Sequence, residues 1–204
     1  MYSFTIPMAL MDFVPVIFFG ITAILLLGDL HGKMGKGVYA LFAAGSFNVF
    51  LAGFCKALWK LLYAAGICDF KALEEMFMPV NSIGLLCVGL SLVFMVCMKK
   101  KTVMLSTAPV AVTSSLPFIA MMVVGLGGMC ASLSVLSVKM KKGRVMILFI
   151  ASFVCAMGMG AMSGMDTTLA WVNWAEQGIN TVSQLCLMLG TLALHKAGLK
   201  NWNW

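Results

Sequence analysis

Between Asp12 and Asp29 the chain reads FVPVIFFGITAILLLG, with no formal charge from Phe13 to Gly28. Runs of this kind recur along the sequence and predict helices at about 8–28, 38–62, 77–98, 117–138, 144–164 and 168–196. Each is close to the ~20 residues that a helix needs to cross the hydrocarbon of a bilayer. A soluble domain could not hide so much apolar surface: 62% of the 204 residues are hydrophobic and only 10% are charged, whereas a soluble chain keeps many polar residues for its surface. The continuous runs also exclude a transmembrane β-barrel, whose strands alternate polar and apolar side chains. The fold class is therefore all-α, a polytopic transmembrane bundle forming a single domain over 1–204 in the cell membrane of its host, an inner membrane where there are two.

The first basic residue is Lys33. The first apolar run thus lacks the charged leader of a signal peptide and is expected to remain as a helix. The net charge of +7 does not point to nucleic acid, because the cations fall in short clusters between the runs, as in loops that anchor a membrane protein.

Those clusters set the topology. Residues 102–138 lie between Lys99-Lys100-Lys101 and the stretch KMKKGR at 139–144. If both clusters face the cytoplasm, the intervening chain crosses twice. Seven helices with the N-terminus outside and the C-terminus inside then place Lys33, Lys36, Lys99–Lys101, Lys139, Lys141, Lys142, Arg144, Lys196 and Lys200 on the inner side. Lys71 alone lies in an outer loop, with Lys56 and Lys60 near the outer end of the second helix. A six-helix chain with both termini inside, the alternative, divides the loop cations almost evenly, so the orientation rule favours seven. The cost is a short fourth element at about 100–115. It contains Pro109 and several Ser and Thr residues and ends in Ser114-Ser115-Leu116-Pro117, a turn and helix-start signal. Such an element belongs among other helices, away from lipid.

On this topology the polar groups at membrane depth gather in the outer half. Asp12 starts the first helix, Lys56 and Lys60 share a face one turn apart, and Asn81 and Ser82 follow Pro79. Thr113, Ser114 and Ser115 stand at the outer turn. In the last helix Asn173, Gln177, Asn180 and Gln184 advance by four, three and four residues, one continuous stripe, with Glu176 beside it. Side chains like these are costly in hydrocarbon and should turn inward and find partners. Lys56 or Lys60 with Asp12 or Glu176 are the expected ion pairs. Snorkelling lysines and interhelical amide bridges are the structural alternative.

The candidate ligand-binding residues are thus Asp12, Lys56, Lys60, Asn81, Asn173, Glu176, Gln177, Asn180 and Gln184. A site offering both ammonium and carboxylate groups suits a small polar or zwitterionic solute, to be bound and transported. Trp59, Trp171 and Trp174 lie near it, as do membrane-interface tryptophans generally. The rival readings are a membrane sensor or assembly partner that engages a cytoplasmic or membrane protein through the basic loops, an intramembrane enzyme, and a Cu(I) transporter. Met157, Met159, Met162, Met165 and Cys155 raise the last, but Ala156, Gly160 and Gly164 at four-residue spacing predict a helix-packing face instead. The seven cysteines form no C-x-x-C pair and read as packing residues. His31 and His195 read as ordinary surface histidines of the inner side. VVGLGGM at 123–129 lacks the context of a phosphate loop, and its glycines read as packing. Asp69, Glu74 and Glu75 form an acidic outer loop. No cofactor, resident metal or catalytic residue is expected.

Overall fold

The computed structural model describes residues 5–98, 116–162 and 170–202. Among them all regular structure is helical, and the helices are α1 (Ile6–Met11), α2 (Phe13–Leu30), α3 (Lys36–Ala64), α4 (Ala72–Glu75), α5 (Phe77–Met98), α6 (Leu116–Lys139), α7 (Met146–Met162) and α8 (Ala170–Lys196). Five stretches are long and apolar enough to cross a membrane: Ile6–Leu30, Lys36–Ala64, Ala72–Cys97, Leu116–Lys139 and Gly143–Gly160. The protein has the build of a multi-pass membrane protein. Its surface agrees, since Ile24, Phe47, Ile150 and Val154 point outward from within their helices, which suits lipid and not water. Helix α8 is as long as the others but too polar along one face to count with them.

Local chemistry explains the breaks. Pro15 has no N–H to give to the carbonyl of Met11, and the first apolar run is interrupted there, at Asp12, between α1 and α2. Pro79 falls in the first turn of α5, where a missing N–H costs little. Gly198 ends α8 in the left-handed conformation, φ 86°, which favours glycine.

The long helices pack in the order α2, α3, α5, α6, α7, α8, and α8 returns to α2. Close approaches fix their directions. Gly45 of α3 faces Gly84, Cys87 and Val88 of α5, and Gly84 in turn faces Val49; rising numbers meet falling ones, so this pair is antiparallel. An added Cβ on Gly45 would stand 2.8 Å from the Gly84 carbonyl oxygen. Gly125 of α6 lies on the Leu85 backbone, and Gly128 faces Gly89 and Val93. Here rising meets rising, and α5 and α6 run parallel. Met98 and Leu116 therefore stand at opposite ends of the bundle. The segment expected at 100–115, with Thr113, Ser114 and Ser115, lies outside the described residues, as do Lys99–Lys101.

The remaining contacts are consistent with this pattern. Tyr39 donates to the Leu27 carbonyl at 3.0 Å and Lys60 meets Asp12, so α2 and α3 are antiparallel. Phe149 packs on Gly190 and Ser183 donates to the Ser152 carbonyl at 2.8 Å, so α7 and α8 are antiparallel as well. One end of the bundle then collects Lys33, Lys36, Lys139, Lys141, Lys142, Arg144, Lys196 and Lys200. The other end carries Asp12, Lys56, Lys60 and Glu176. A continuous apolar core, with Leu26, Phe42, Leu92, Met129, Leu133 and Leu187 among its members, fills the middle and the half nearer the basic end.

Two packing expectations have different outcomes. Gly125 and Gly128, from VVGLGGM, do mediate close helix contact. On the face expected on α7, Ala156 packs against the core, while an added Cβ on Gly160 would meet nothing within 4 Å. Backbones come close enough to exclude any side chain where α3 meets α5, at Gly45 and Gly84, and where α5 meets α6, at Gly89 and Gly125. Gly164 lies outside the described residues.

Candidate functional site

Four elements deliver charge to the end opposite the basic loops. Asp12 sits at the α1–α2 break, Lys56 and Lys60 on the last turns of α3, Glu74 in α4 and Glu176 in the second turn of α8. Asp12 Oδ2 is 2.6 Å from Lys60 Nζ, and the two side chains are only 8% and 14% exposed. This is one of the expected ion pairs, and it rules out a snorkelling Lys60. Lys56 takes a different partner: its ammonium lies over the Phe77 ring, 4.2 Å from the centroid, where the negative face of the ring attracts a cation. Lys56 also feels the charges of Lys60, Asp12, Glu176 and Glu74. Two cations and three carboxylates thus lie within electrostatic range of one another at this end of the bundle.

Beneath the charges lie amides and hydroxyls. Asn81, Asn173 and Gln177 are buried, and Ser82 donates to the Met78 carbonyl at 2.6 Å. Asn180, Thr181 and Gln184 are half-buried further along α8. The stripe read from the sequence as Asn173, Gln177, Asn180 and Gln184 is thus turned toward the bundle interior, away from Trp171, Trp174 and Val182, which are exposed. Several of its atoms have no partner: Gln177 Nε2 and Gln184 Oε1, and with them Thr181 Oγ1 and Thr191 Oγ1, are buried without a hydrogen bond. Each such atom costs about 1–3 kcal/mol while it stays unpaired.

One charge of the site escaped sequence reasoning. Glu74 looked like a solvated loop acid; the turn through Met76 into α5 brings its charge to Lys56. Asp69 of the same loop has a structural task, accepting a hydrogen bond from Trp59 Nε1 at 3.0 Å. Trp59 is correspondingly buried, unlike an interfacial belt residue.

At the basic end His195 is exposed, as expected, but it has a partner that the sequence does not announce. Its Nδ1 lies 2.9 Å from both carboxylate oxygens of Asp29, a residue 2% exposed, while His195 itself is 44% exposed. The partner is 166 positions away in sequence, so no local signal announces the pair. Lys33, in the turn after α2, donates to the Trp202 carbonyl. Burial pulls the Lys33 ammonium below its usual range, against the opposing attraction of Asp29. His31 is exposed, as expected, and stands edge-on to Tyr39 with centroids 5.3 Å apart.

No protein-family model matches this chain, and neither curated proteins nor solved structures provide a relative.

Proposed function

We propose that this protein is a seven-crossing membrane protein that binds, and carries across the membrane, a small polar or zwitterionic solute at the cluster of Lys56, Lys60, Asp12 and Glu176. The observation that carries the proposal is the convergence of those charges, from α2, α3 and α8, at the end away from the basic loops. Lys60 is committed to Asp12. Lys56 lies over a ring and has no contact ion pair among the described residues, so its ammonium can take a carboxylate of the solute. Glu176 and Glu74 can take the cationic group, and Asn81, Asn173, Gln177, Asn180 and Gln184 offer amides to the rest. Intramembrane ionisable groups that converge in this way usually serve a ligand or an ion.

The parallel course of α5 and α6 supports seven crossings, because it leaves Met98 and Leu116 at opposite ends. With the basic loops cytoplasmic, the N-terminus and the charged cluster face outward from the cell membrane. The surrounding lipid and the solute are the partners of this reading.

A panel of zwitterionic amino acids and quaternary-ammonium carboxylates, tested by thermal unfolding of the detergent-purified protein, examines it. At least one is expected to raise Tm by several degrees in the parent and by none in Lys56→Gln. If no compound shifts Tm, or if parent and variant shift alike, the proposal fails.

A further inference from the structure

The polar face of α8 does not stop at the ionic cluster. Gln177, Thr181, Gln184, Met188, Thr191 and His195 follow one another by alternating steps of four and three residues, a single stripe down the helix. Over 18 residues at 1.5 Å each it spans about 27 Å, nearly the thickness of a bilayer's hydrocarbon. The buried polar atoms of α8 that lack a hydrogen bond, on Gln177, Thr181, Gln184 and Thr191, all lie on this stripe. Gln177 is 7% exposed and Thr191 fully buried. The threonines are informative, since a helical Thr usually settles its hydroxyl on the carbonyl one turn back. Thr22 of α2 does so, donating to Phe18 at 2.9 Å; Thr181 and Thr191 do not. A row of unsatisfied donors and acceptors at membrane depth is tolerated where it borders water. The row begins at Gln177, next in the chain to Glu176, and ends at a titratable pair, Asp29 and His195.

We propose that the inner face of α8 is a hydrated file that carries protons between the ionic cluster at one end of the bundle and the Asp29–His195 pair at the other. The amides and hydroxyls hold the waters, and each water accepts one proton and passes one on. The Asp29 carboxylate receives the proton at the basic end and hands it to Nδ1 of His195. The half-exposed imidazolium releases a proton from Nε2 to the aqueous phase, leaving the Nδ1–H tautomer, which exchanges back through solvent. Only O–H and N–H bonds are made and broken, and no electrons are transferred. Lys33 of the α2–α3 turn bears on Asp29, so this terminus mixes a carboxylate, an imidazole and an ammonium. The file needs no solute and stands whether or not the solute proposal does.

Two measurements test it, both without solute. In microsecond hydroxyl-radical footprinting of the protein in phosphatidylcholine nanodiscs, Met188, on the file, is expected to oxidise at least ten-fold faster than Met129, which is 1% exposed in the apolar core. The double variant Gln184→Leu, Thr191→Val should bring Met188 down to the rate of Met129. In phosphatidylcholine vesicles with a trapped pH dye, potassium and valinomycin, the parent should collapse an imposed proton gradient at least five-fold faster than that variant. His195→Gln, which keeps a polar partner for Asp29, should slow it similarly and serves if the double variant fails to fold. A Met188 as inert as Met129, or proton entry no faster than in protein-free vesicles or unchanged in the variants, overturns the inference.

Discussion

An ammonium and a carboxylate buried in a membrane-spanning bundle lose their water together, and what remains is mostly their mutual attraction at 2.6 Å, the distance between Lys60 and Asp12. Removing one partner strands the other, which in buried pairs costs about 3–5 kcal/mol, whereas replacing both with apolar groups is often close to neutral. Asp12→Asn should therefore lower unfolding stability by an amount of that order, and Asp12→Leu with Lys60→Met should recover most of it, as measured by denaturation in mixed micelles. Lys33 offers a pH-dependent counterpart outside the spans. Its ammonium is depressed in the folded protein, so just below the ordinary lysine range the unfolded chain binds the proton more tightly. Stability should rise with pH through that alkaline interval. Lys33→Met should flatten the slope in pH-dependent unfolding, and an unchanged slope would show that Lys33 is not its source.

At the scale of elements, glycine decides which helices touch. The backbones of α5 and α6 meet at Gly89 and Gly125 so closely that any side chain there would overlap the opposing main chain. Gly125→Leu should push the pair apart and cost at least the 1–3 kcal/mol typical of overpacking. Gly158→Ala on α7 would meet nothing within 4 Å and should be neutral or stabilising, by up to about 1 kcal/mol from helix propensity. Thermal unfolding of the two variants beside the parent checks the contrast. Similar losses in both would mean that close approach is not what the glycines supply. The sequence pattern marked VVGLGGM as a packing stretch correctly; on α7 the expected face is met at Ala156, which packs on the core, while an added Cβ on Gly160 would have open space. A small residue permits contact, but only the rotation of its helix in the bundle determines whether a neighbour is there.

For the whole molecule, direction is the main result. The run from α2 to α8 places the described loop cations together, apart from Lys71, and α2 and α8 end parallel, joined through Asp29 and His195. Reporter fusions at the N- and C-termini should fall on opposite sides of the membrane, and fusions after residues 98 and 140 on the same side. Termini on one side would replace seven crossings with six and remove the reason for calling the ionic cluster outward-facing.

The membrane-spanning class, the approximate helix positions and the polar stripe of α8 were legible without coordinates, because run length, charge and helical spacing are properties of neighbours in the chain. The gathering of Asp12, Lys56, Lys60 and Glu176 at one level could also be anticipated, since each lies at a known distance from a loop. Other features were decided only in three dimensions. These are the choice of Asp12 for Lys60, the ring beneath Lys56, the arrival of Glu74 and the capture of His195 by Asp29. Each depends on how one helix is turned against another, and that rotation is set by backbone contacts between residues far apart in the chain.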